Sequence, residues 1–363
     1  MTIALAAYTL VALFWDGLHH NNITGEDQFF SPPHIAMYLG LIAVGVWIAL
    51  VMLRYQRGLY HLEWSAVPLG YGFAIIALPL AAIAGPADFM WHQAYGFENQ
   101  IDSTFSPSHQ GLFYSGAMLA TIAGAAAWQR RDVVTPTLRE HLPAAFSVTS
   151  LLAVMLFIVH QIVPFYGGGV AATQAFQDDI ASRPDAFAPG SGAEHAEGLA
   201  RALTHYGDAA FPYYFYSTHA SVAGILIFTA ALIGMVLVMR RRWRIPFGTL
   251  TITFTFLALL WAMLSEYRQA ELIPSLVLAG VVGDVLLGRL GGGRIGHIRL
   301  FAALVPPVLW SLFFLCIALF QGGLGWEPTL WFGLLVTTSA LGYAMSLLVF
   351  PPYSAPWQEG KAA

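Results

Sequence analysis

The chain has 363 residues, of which 57% are hydrophobic and 10% are charged. With a mean hydropathy of +0.64, it is too apolar to cover a soluble domain with polar side chains, so the composition predicts an integral membrane protein in contact with the lipid bilayer. The formal net charge of -4 comes from few charged residues. We therefore expect neither a basic surface for nucleic acid nor an acidic tail.

Apolar segments long enough to cross about 30 Å of hydrocarbon recur about ten times along the chain. Because a helix satisfies its own backbone hydrogen bonds in lipid, the predicted fold is an all-α, polytopic integral membrane bundle of about ten transmembrane helices. The segments lie near residues 2–18, 34–53, 64–87, 109–128, 143–163, 212–239, 246–264, 272–288, 299–320 and 329–349.

The connections between these segments are short, except for the one at residues 167–210. We therefore predict a single integral membrane domain, 1–363. The long connection has the pattern of a short amphipathic helix around 193–206, and loops of this length are more often functional or disordered than inert.

Lysine and arginine are distributed unequally between the connections. The even-numbered connections and the C-terminal tail hold all but three of the 16 basic residues, the three exceptions being Arg183, Arg201 and Arg268. Cytoplasmic loops carry the excess of basic residues. The predicted topology therefore has both termini in the cytoplasm and the odd-numbered connections facing outside, toward the periplasm, from the inner (cytoplasmic) membrane.

Two of the predicted hairpins on the outer side are near copies of one another. The repeated unit is Asp-x3-His, a polar loop, and then Phe-Ser-Pro-x-His; such repetition indicates a reused structural unit. It is carried by Asp16, His20 and His34 in the hairpin at about 14–38, and by Asp88, His92 and His109 in the hairpin at about 86–114.

Helix geometry predicts that each unit gathers its three side chains. Residues at i and i+4 share a helix face, so the aspartate and first histidine of each unit point the same way. Ser31 and Ser106 suit the N-cap and Pro32 and Pro107 the first helical position, which places the second histidine in the first turn of the returning helix. The negative end of the outgoing helix favours a cation there. One carboxylate and two imidazoles form a plausible three-ligand metal set.

A third hairpin, at about 156–222, keeps only part of the repeat. It carries His160 and His219, but Leu156 stands where the aspartate is expected. These two histidines would complete a site or bridge two sites, and His19 is a further metal candidate beside His20.

Several polar residues are expected to have roles other than metal binding. His195 and His205 of the long connection are expected to be exposed to solvent, and Asp284 and Glu266 to be structural or pairing groups. The repeated histidines and aspartates also have an alternative role as interfacial polar residues or helix caps. The aromatic residues on the same face are typical of an interfacial belt, and an apolar wall beside a metal would also suit a small hydrophobic substrate.

The second unit resembles a hairpin of a known family. The segments Trp91-His92-Gln93, Asp102 to His109 and Phe113-Tyr114 are similar to the metal-binding hairpin in the C subunit of the copper membrane monooxygenases, the particulate methane and ammonia monooxygenase family. The resemblance covers about residues 14–116. It implies that Asp88, His92 and His109 ligate copper and that Asp16, His20 and His34 ligate a second ion.

The leading functional hypothesis is a copper-dependent membrane monooxygenase, or its metal-bearing subunit, that oxidises a small apolar substrate with dioxygen, with partner subunits in a membrane complex. The choice of copper as the metal depends on the resemblance, since imidazole also suits iron and zinc. Paired histidines equally suit axial ligation of haem. The alternatives are a protein that binds or delivers metal without catalysis and, third, a transporter. The sequence assigns no catalytic side chain.

Overall fold

The computed structural model describes residues 1–22, 29–56, 63–96, 104–130, 134–165, 210–290, 294–321, 323–324, 326 and 328–351, without the side chains of 21–22, 64, 161 and 210–217. The predicted helix around 193–206, together with His195 and His205, lies outside these residues. Within them the chain is a bundle of α-helices, so the predicted fold class is confirmed.

The described part of the chain contains ten α-helices. Nine of them include a segment long and apolar enough to cross a membrane, and α7 is apolar but has only 16 residues. The polytopic prediction is therefore confirmed. The helices are α1 Thr2–Asn22, α2 Pro32–Arg54, α3 Ala74–Tyr95, α4 Pro107–Gln129, α5 Leu138–Ile158, α6 Ala210–Arg242, α7 Thr249–Leu264, α8 Ile273–Leu290, α9 Ile295–Phe320 and α10 Pro328–Val349.

The third helix differs most from its predicted segment, 64–87. Two short 3₁₀ turns, Trp64–Ala66 and Tyr71–Phe73, come before α3. Between them Gly70 has a φ of 88° and lies so close to Ala126 of α4 that an added Cβ would clash with its backbone. The chain turns at this glycine, so α3 begins later than the hydropathy indicates and continues through Pro86 to Tyr95.

Each early helix packs against its neighbour in sequence, α1 on α2, α3 on α4 and α4 on α5, while α6 packs against α10. The apolar side chains form two cores. The larger core includes Phe14, Phe113 and Trp261 and extends through α5 to α10, and the smaller one joins α2 and α3 around Met37 and Leu119. Because α1 and α4 contribute to both cores, they fix the two hairpins relative to the rest of the bundle.

Asp284 of α8 has a structural role in the bundle. Its carboxylate accepts hydrogen bonds from the backbone amides of Leu250 and Thr251 and from the Thr251 hydroxyl, at 2.7–3.1 Å. It therefore caps the first turn of α7, where the N-cap residue, Gly248, has no side chain to do so. Glu266 lies 3.8 Å from Arg268 in an ion pair, which fits the pairing role expected for it.

We use the name histidine end for the end of the bundle that holds the last turns of α1, α3 and α5 and the first turns of α2 and α4. Here Asp16, His34, Asp88 and His92 are all buried. Buried charges are costly in a membrane protein unless they are paired. The contacts among these four side chains therefore show how their buried charges are compensated.

Candidate metal centre

The first group of potential ligands joins α1 to α2. His34 Nδ1 lies 3.1 and 3.2 Å from the two carboxylate oxygens of Asp16, and His20 Nε2 lies 3.5 Å from Asp16 Oδ2. One ligand atom from each of these three residues lies within 4.8 Å of the others. We call Asp16, His20 and His34 the first triad.

The second group joins α3 to α4 in the same way. Asp88 Oδ1 lies 3.2 Å from His109 Nε2 and 3.6 Å from His92 Nε2. These three residues likewise offer ligand atoms within 4.8 Å of one another, and we call them the second triad. Within the described residues, these are the two groups of histidine, cysteine or acidic side chains close enough to hold a metal ion.

The spacing of the ligand atoms fits one ion in each triad. Nitrogen and oxygen ligands about 2.1 Å from a tetrahedral ion lie about 3.4 Å from each other. The carboxylate-to-imidazole distances of 3.1 to 3.6 Å bracket this value. The donor set of one carboxylate and two imidazoles suits copper, zinc or iron. A small movement of the three side chains of each triad toward one another would therefore place three ligand atoms around one ion.

The local sequence explains how the second histidine of each unit reaches its triad. Ser31 and Ser106 are the N-cap residues of α2 and α4, each followed by proline, as predicted. The Ser106 hydroxyl accepts a hydrogen bond from the His109 amide at 3.3 Å, whereas Ser31 makes no such side-chain bond. His34 and His109 thereby occupy the first turn of their helices.

Gly96 orients His92 in the second triad. The helix α3 ends at this glycine, whose φ of 76° and ψ of -164° suit only glycine. Its carbonyl oxygen lies 3.1 Å from His92 Nδ1 and accepts the ring N–H, so Nε2 is the nitrogen that faces the carboxylate. This arrangement, a ring fixed through one nitrogen and presented through the other, is typical of metal-ligating histidines.

The two triads touch one another. The Nε2 atom of His34 lies 3.6 Å from Asp88 Oδ2, so this one ring faces a carboxylate at each nitrogen. The Tyr38 hydroxyl, one turn further along α2, donates a 2.7 Å hydrogen bond to the same Asp88 oxygen. The histidine end is therefore one continuous cluster of polar side chains.

A small pocket of about 40 Å³ lies between the triads. It is lined by Asp16 and His20 of the first triad, His109 of the second triad, and His160. Leu13, Met37, Leu112 and Phe113 separate it from an apolar chamber of about 50 Å³ among α1, α2, α4 and α5, which these four residues also line. Space for a molecule the size of water or dioxygen thus adjoins both ligand sets.

A separate apolar cleft of about 800 Å³ runs between α2 and α3 on the outer surface of the bundle. Phe29 stands between this cleft and the polar cluster, with its ring 4.7 Å from that of His34 and 5.9 Å from that of His92. Tyr38 also lines the cleft. On the side of the cleft, the polar cluster is therefore covered by aromatic rings.

The remaining predicted ligands occupy different positions. His160 lines the small pocket, and its Nδ1 atom donates to the Phe157 carbonyl oxygen at 2.9 Å. Burial lowers the pKa of His160. His19 and His219 belong to neither triad, and His219 is exposed on α6. No third group forms around the degenerate hairpin within the described residues.

Sequence reasoning missed Tyr38 and the role of Gly96. Tyr38 follows His34 by four residues and so shares its helix face, a signal that could have identified it. Gly96 lies four residues after His92 in a stretch without other structural motifs. The aromatic residues of this face were expected to form an interfacial belt, but one of them, Phe29, packs directly on His34 and His92 of the cluster.

The fold and the site together define a class: a polytopic helical membrane protein with two adjoining, largely buried carboxylate–histidine triads. Comparison of the chain with protein-family models, with curated proteins and with solved structures gave no match. The likeness to the copper membrane monooxygenases accordingly remains a resemblance of short motifs.

Proposed function

We propose that this protein is a membrane-embedded, copper-dependent oxidoreductase of the monooxygenase type, or the metal-bearing subunit of one, which oxidises a small apolar substrate with dioxygen. The observation that carries the proposal is the geometry of the two triads. Each gathers one carboxylate and two imidazoles at distances suited to a single ion, beside a pocket that leaves room for a further ligand.

The charge of the cluster supports a bound cation. Asp16 and Asp88 are 6% and 0% exposed, and ionised carboxylates are rarely buried to this extent without compensation. Asp88 Oδ1, which faces the imidazoles of the second triad, is buried and makes no hydrogen bond within the described part of the chain. A cation at the second triad would supply the partner that this buried oxygen needs.

Copper is preferred to zinc or iron because of the resemblance. When bound, copper supplies the one-electron redox chemistry needed to activate dioxygen. The residues of the chain hold the ion, and three protein ligands leave a coordination position open. Haem is less favoured than a single metal ion. In each triad the two imidazoles converge on the same carboxylate, whereas the axial ligands of a haem face each other across a flat cavity.

The chamber of about 50 Å³ supports a small apolar substrate. Its walls are almost entirely aliphatic and aromatic, and only side chains such as Leu112 and Phe113 separate it from the pocket between the triads. Dioxygen and small hydrocarbons partition from the bilayer into such a space. The chamber would thus bring both reactants close to the ions while excluding larger molecules.

The proposed location is the inner membrane, with both termini in the cytoplasm and the histidine end facing the periplasm. The arginines at the opposite end of the bundle support this orientation, because Arg54 and Arg240–Arg242 fall in the last turns of α2 and α6. Partner subunits would supply electrons, since the proposal assigns no redox donor to this chain.

The test is turnover by the full chain in lipid nanodiscs, loaded with copper and supplied with a quinol, propene and ¹⁸O₂. Monooxygenation inserts one oxygen atom into the alkene and reduces the other to water, using two electrons and two protons from the quinol. We expect ¹⁸O-labelled epoxide from the wild type and from the control variant His297→Ala. His297 lies in the first turn of α9, outside the histidine end. Asp16→Ala and Asp88→Ala should abolish the product.

Other outcomes identify the alternative functions. Tight, exchangeable copper binding without labelled product, even after addition of proteins encoded by neighbouring genes, would contradict catalysis and favour metal delivery. Copper flux into sealed vesicles would favour a transporter. Failure of the wild type to bind copper, iron or zinc would reject every function that depends on the triads.

A further inference from the structure

Asp88 presents its two carboxylate oxygens to different partners. Oδ1 faces the imidazoles of His92 and His109 at 3.6 and 3.2 Å. Oδ2 accepts the 2.7 Å hydrogen bond from Tyr38 and lies 3.6 Å from His34 Nε2. One carboxylate therefore belongs to the second triad through one oxygen and touches a ligand of the first triad through the other.

His34 is the counterpart of Asp88 in this contact. Its Nδ1 atom is the nitrogen that faces Asp16, at 3.1 Å, so it is the atom that would ligate an ion in the first triad. A neutral ring ligated at Nδ1 carries its proton on Nε2, the atom that faces Asp88. Because a carboxylate oxygen only accepts hydrogen bonds, His34 Nε2–H would be the donor and Asp88 Oδ2 the acceptor once an ion is bound at Nδ1.

We infer that Asp88 is a positioning residue for the first triad as well as a ligand of the second, so that the two triads form one coupled centre. Metal-ligating histidines typically donate their other ring N–H to a carboxylate, which fixes the ring and raises its basicity. Here that carboxylate is itself a ligand of the neighbouring ion. The separation of 3.6 Å is a few tenths of an ångström longer than a hydrogen bond and would close when His34 turns onto an ion.

The burial of both residues makes this coupling effective. His34 is 1% exposed and Asp88 is fully buried, so water does not screen the contact as it would at a surface. Tyr38 holds the same oxygen from α2, which fixes Oδ2 on the side of His34. The inference rests on the proposed function in one respect, since it requires that cations occupy the triads.

The experiment compares variants that disable the second triad in different ways. His109→Ala removes a ligand of the second triad but leaves Asp88 in contact with His34. Asp88→Ala removes both the ligand and the contact. The full chain in nanodiscs is titrated with Cu(II) against a competing chelator, and the affinity of the first triad is followed by electron paramagnetic resonance.

We expect both variants to lose the second copper, but to differ at the first triad. His109→Ala should leave the affinity of the first triad within about threefold of the wild type. Asp88→Ala should weaken it about 10- to 100-fold, the usual effect of losing such an outer partner. Equal affinities of the first triad in the two variants would overturn the inference.

Asp88→Asn separates the hydrogen bond from the charge. Asparagine keeps an oxygen acceptor of similar shape for His34 but carries no charge, so it should weaken the first triad less than alanine does. Equal weakening by alanine and asparagine would mean that only charge acts, and would overturn the positioning role. This variant also covers the case in which Asp88→Ala does not fold.

Electron spin echo spectroscopy supplies a readout that general loss of structure would not reproduce. It detects the remote nitrogen of a copper-bound imidazole, whose quadrupole coupling depends on the hydrogen bond at that nitrogen. The coupling assigned to His34 should be unchanged in His109→Ala and altered in Asp88→Ala; an identical coupling in both would contradict the contact. Absence of copper from the wild type would instead reject the proposed function itself.

Discussion

The hydroxyl of Tyr38 donates a 2.7 Å hydrogen bond to Asp88 Oδ2, although 50 positions separate the two residues in the sequence. The bond joins α2 to α3 beside the apolar cleft that runs between these helices, which Tyr38 also lines. It also occupies one oxygen of a fully buried carboxylate. Tyr38 is therefore an outer partner of the second triad and a structural tie between the two hairpins.

Replacing this tyrosine should weaken metal binding without disrupting the fold. Tyr38→Phe keeps the ring packing and removes only the hydroxyl, and loss of an outer-shell hydrogen bond typically lowers metal affinity about 10- to 100-fold. Competition with a chelator measures the affinity of the second triad. The matched control, Tyr8→Phe on the exposed face of α1, should bind as the wild type does; equal effects of the two variants would contradict the role of Tyr38.

Adjacent histidines on α1 should behave differently. His20 contributes to the first triad and His19 does not, so His20→Ala should lose one equivalent of copper per chain while His19→Ala keeps the wild-type content. Metal analysis of purified protein measures both. Loss of metal from His19→Ala alone would show that the geometry of the first triad is wrong.

Substitution of Gly96 should affect the second triad through the backbone. In Gly96→Ala the added Cβ meets no neighbouring atom, but the backbone conformation is unfavourable for alanine and costs about 1–3 kcal/mol. The turn should relax and withdraw the carbonyl oxygen that holds His92. We expect a lower thermal midpoint and weaker binding at the second triad, with the first triad changed less.

The control for this substitution is Gly288→Ala in α8, where an added Cβ also meets nothing and the backbone is helical. It should be neutral or slightly stabilising, because alanine favours a helix more than glycine does. A similar loss of metal in both variants would exclude a specific effect at His92.

Filling the apolar chamber should exclude small apolar molecules without removing metal. Gly116 lines the chamber, and an added Cβ there meets no neighbouring atom, so Gly116→Leu should place its side chain in the empty space. Xenon binding, followed by ¹²⁹Xe NMR of protein in nanodiscs, should fall several-fold while copper content stays constant. Gly234→Leu in α6, another open position, serves as the control; unchanged xenon binding in Gly116→Leu would mean that the chamber is not accessible.

Local sequence was enough to predict much of the candidate site. The i, i+4 spacing put each aspartate and its first histidine on one helix face, and Ser-Pro at the start of the returning helix placed His34 and His109 in its first turn. These features depend on hydrogen bonds and side-chain directions within a few residues. They are local, so a single sequence carries them.

The boundaries of α3 show where this reasoning stops. Hydropathy predicted a segment at 64–87, whereas the helix runs from Ala74 to Tyr95, because Gly70 turns the chain where it packs against α4. The difference matters for function, since it places Asp88 and His92 inside the helix and brings Gly96 to the position from which its carbonyl holds His92.

The sequence by itself therefore determined the helical membrane bundle, most of its apolar segments and the six residues of the two triads, because hydropathy, helix periodicity and capping act over short distances along the chain. Only the tertiary structure decided that the triads adjoin, that His34 faces both carboxylates, that Tyr38 reaches Asp88 and that His19 and His219 stand apart. Those relationships arise from how α2 packs beside α3 and how α1 and α4 share two cores. Such packing depends on the fit of side chains far apart in sequence, which no local pattern encodes.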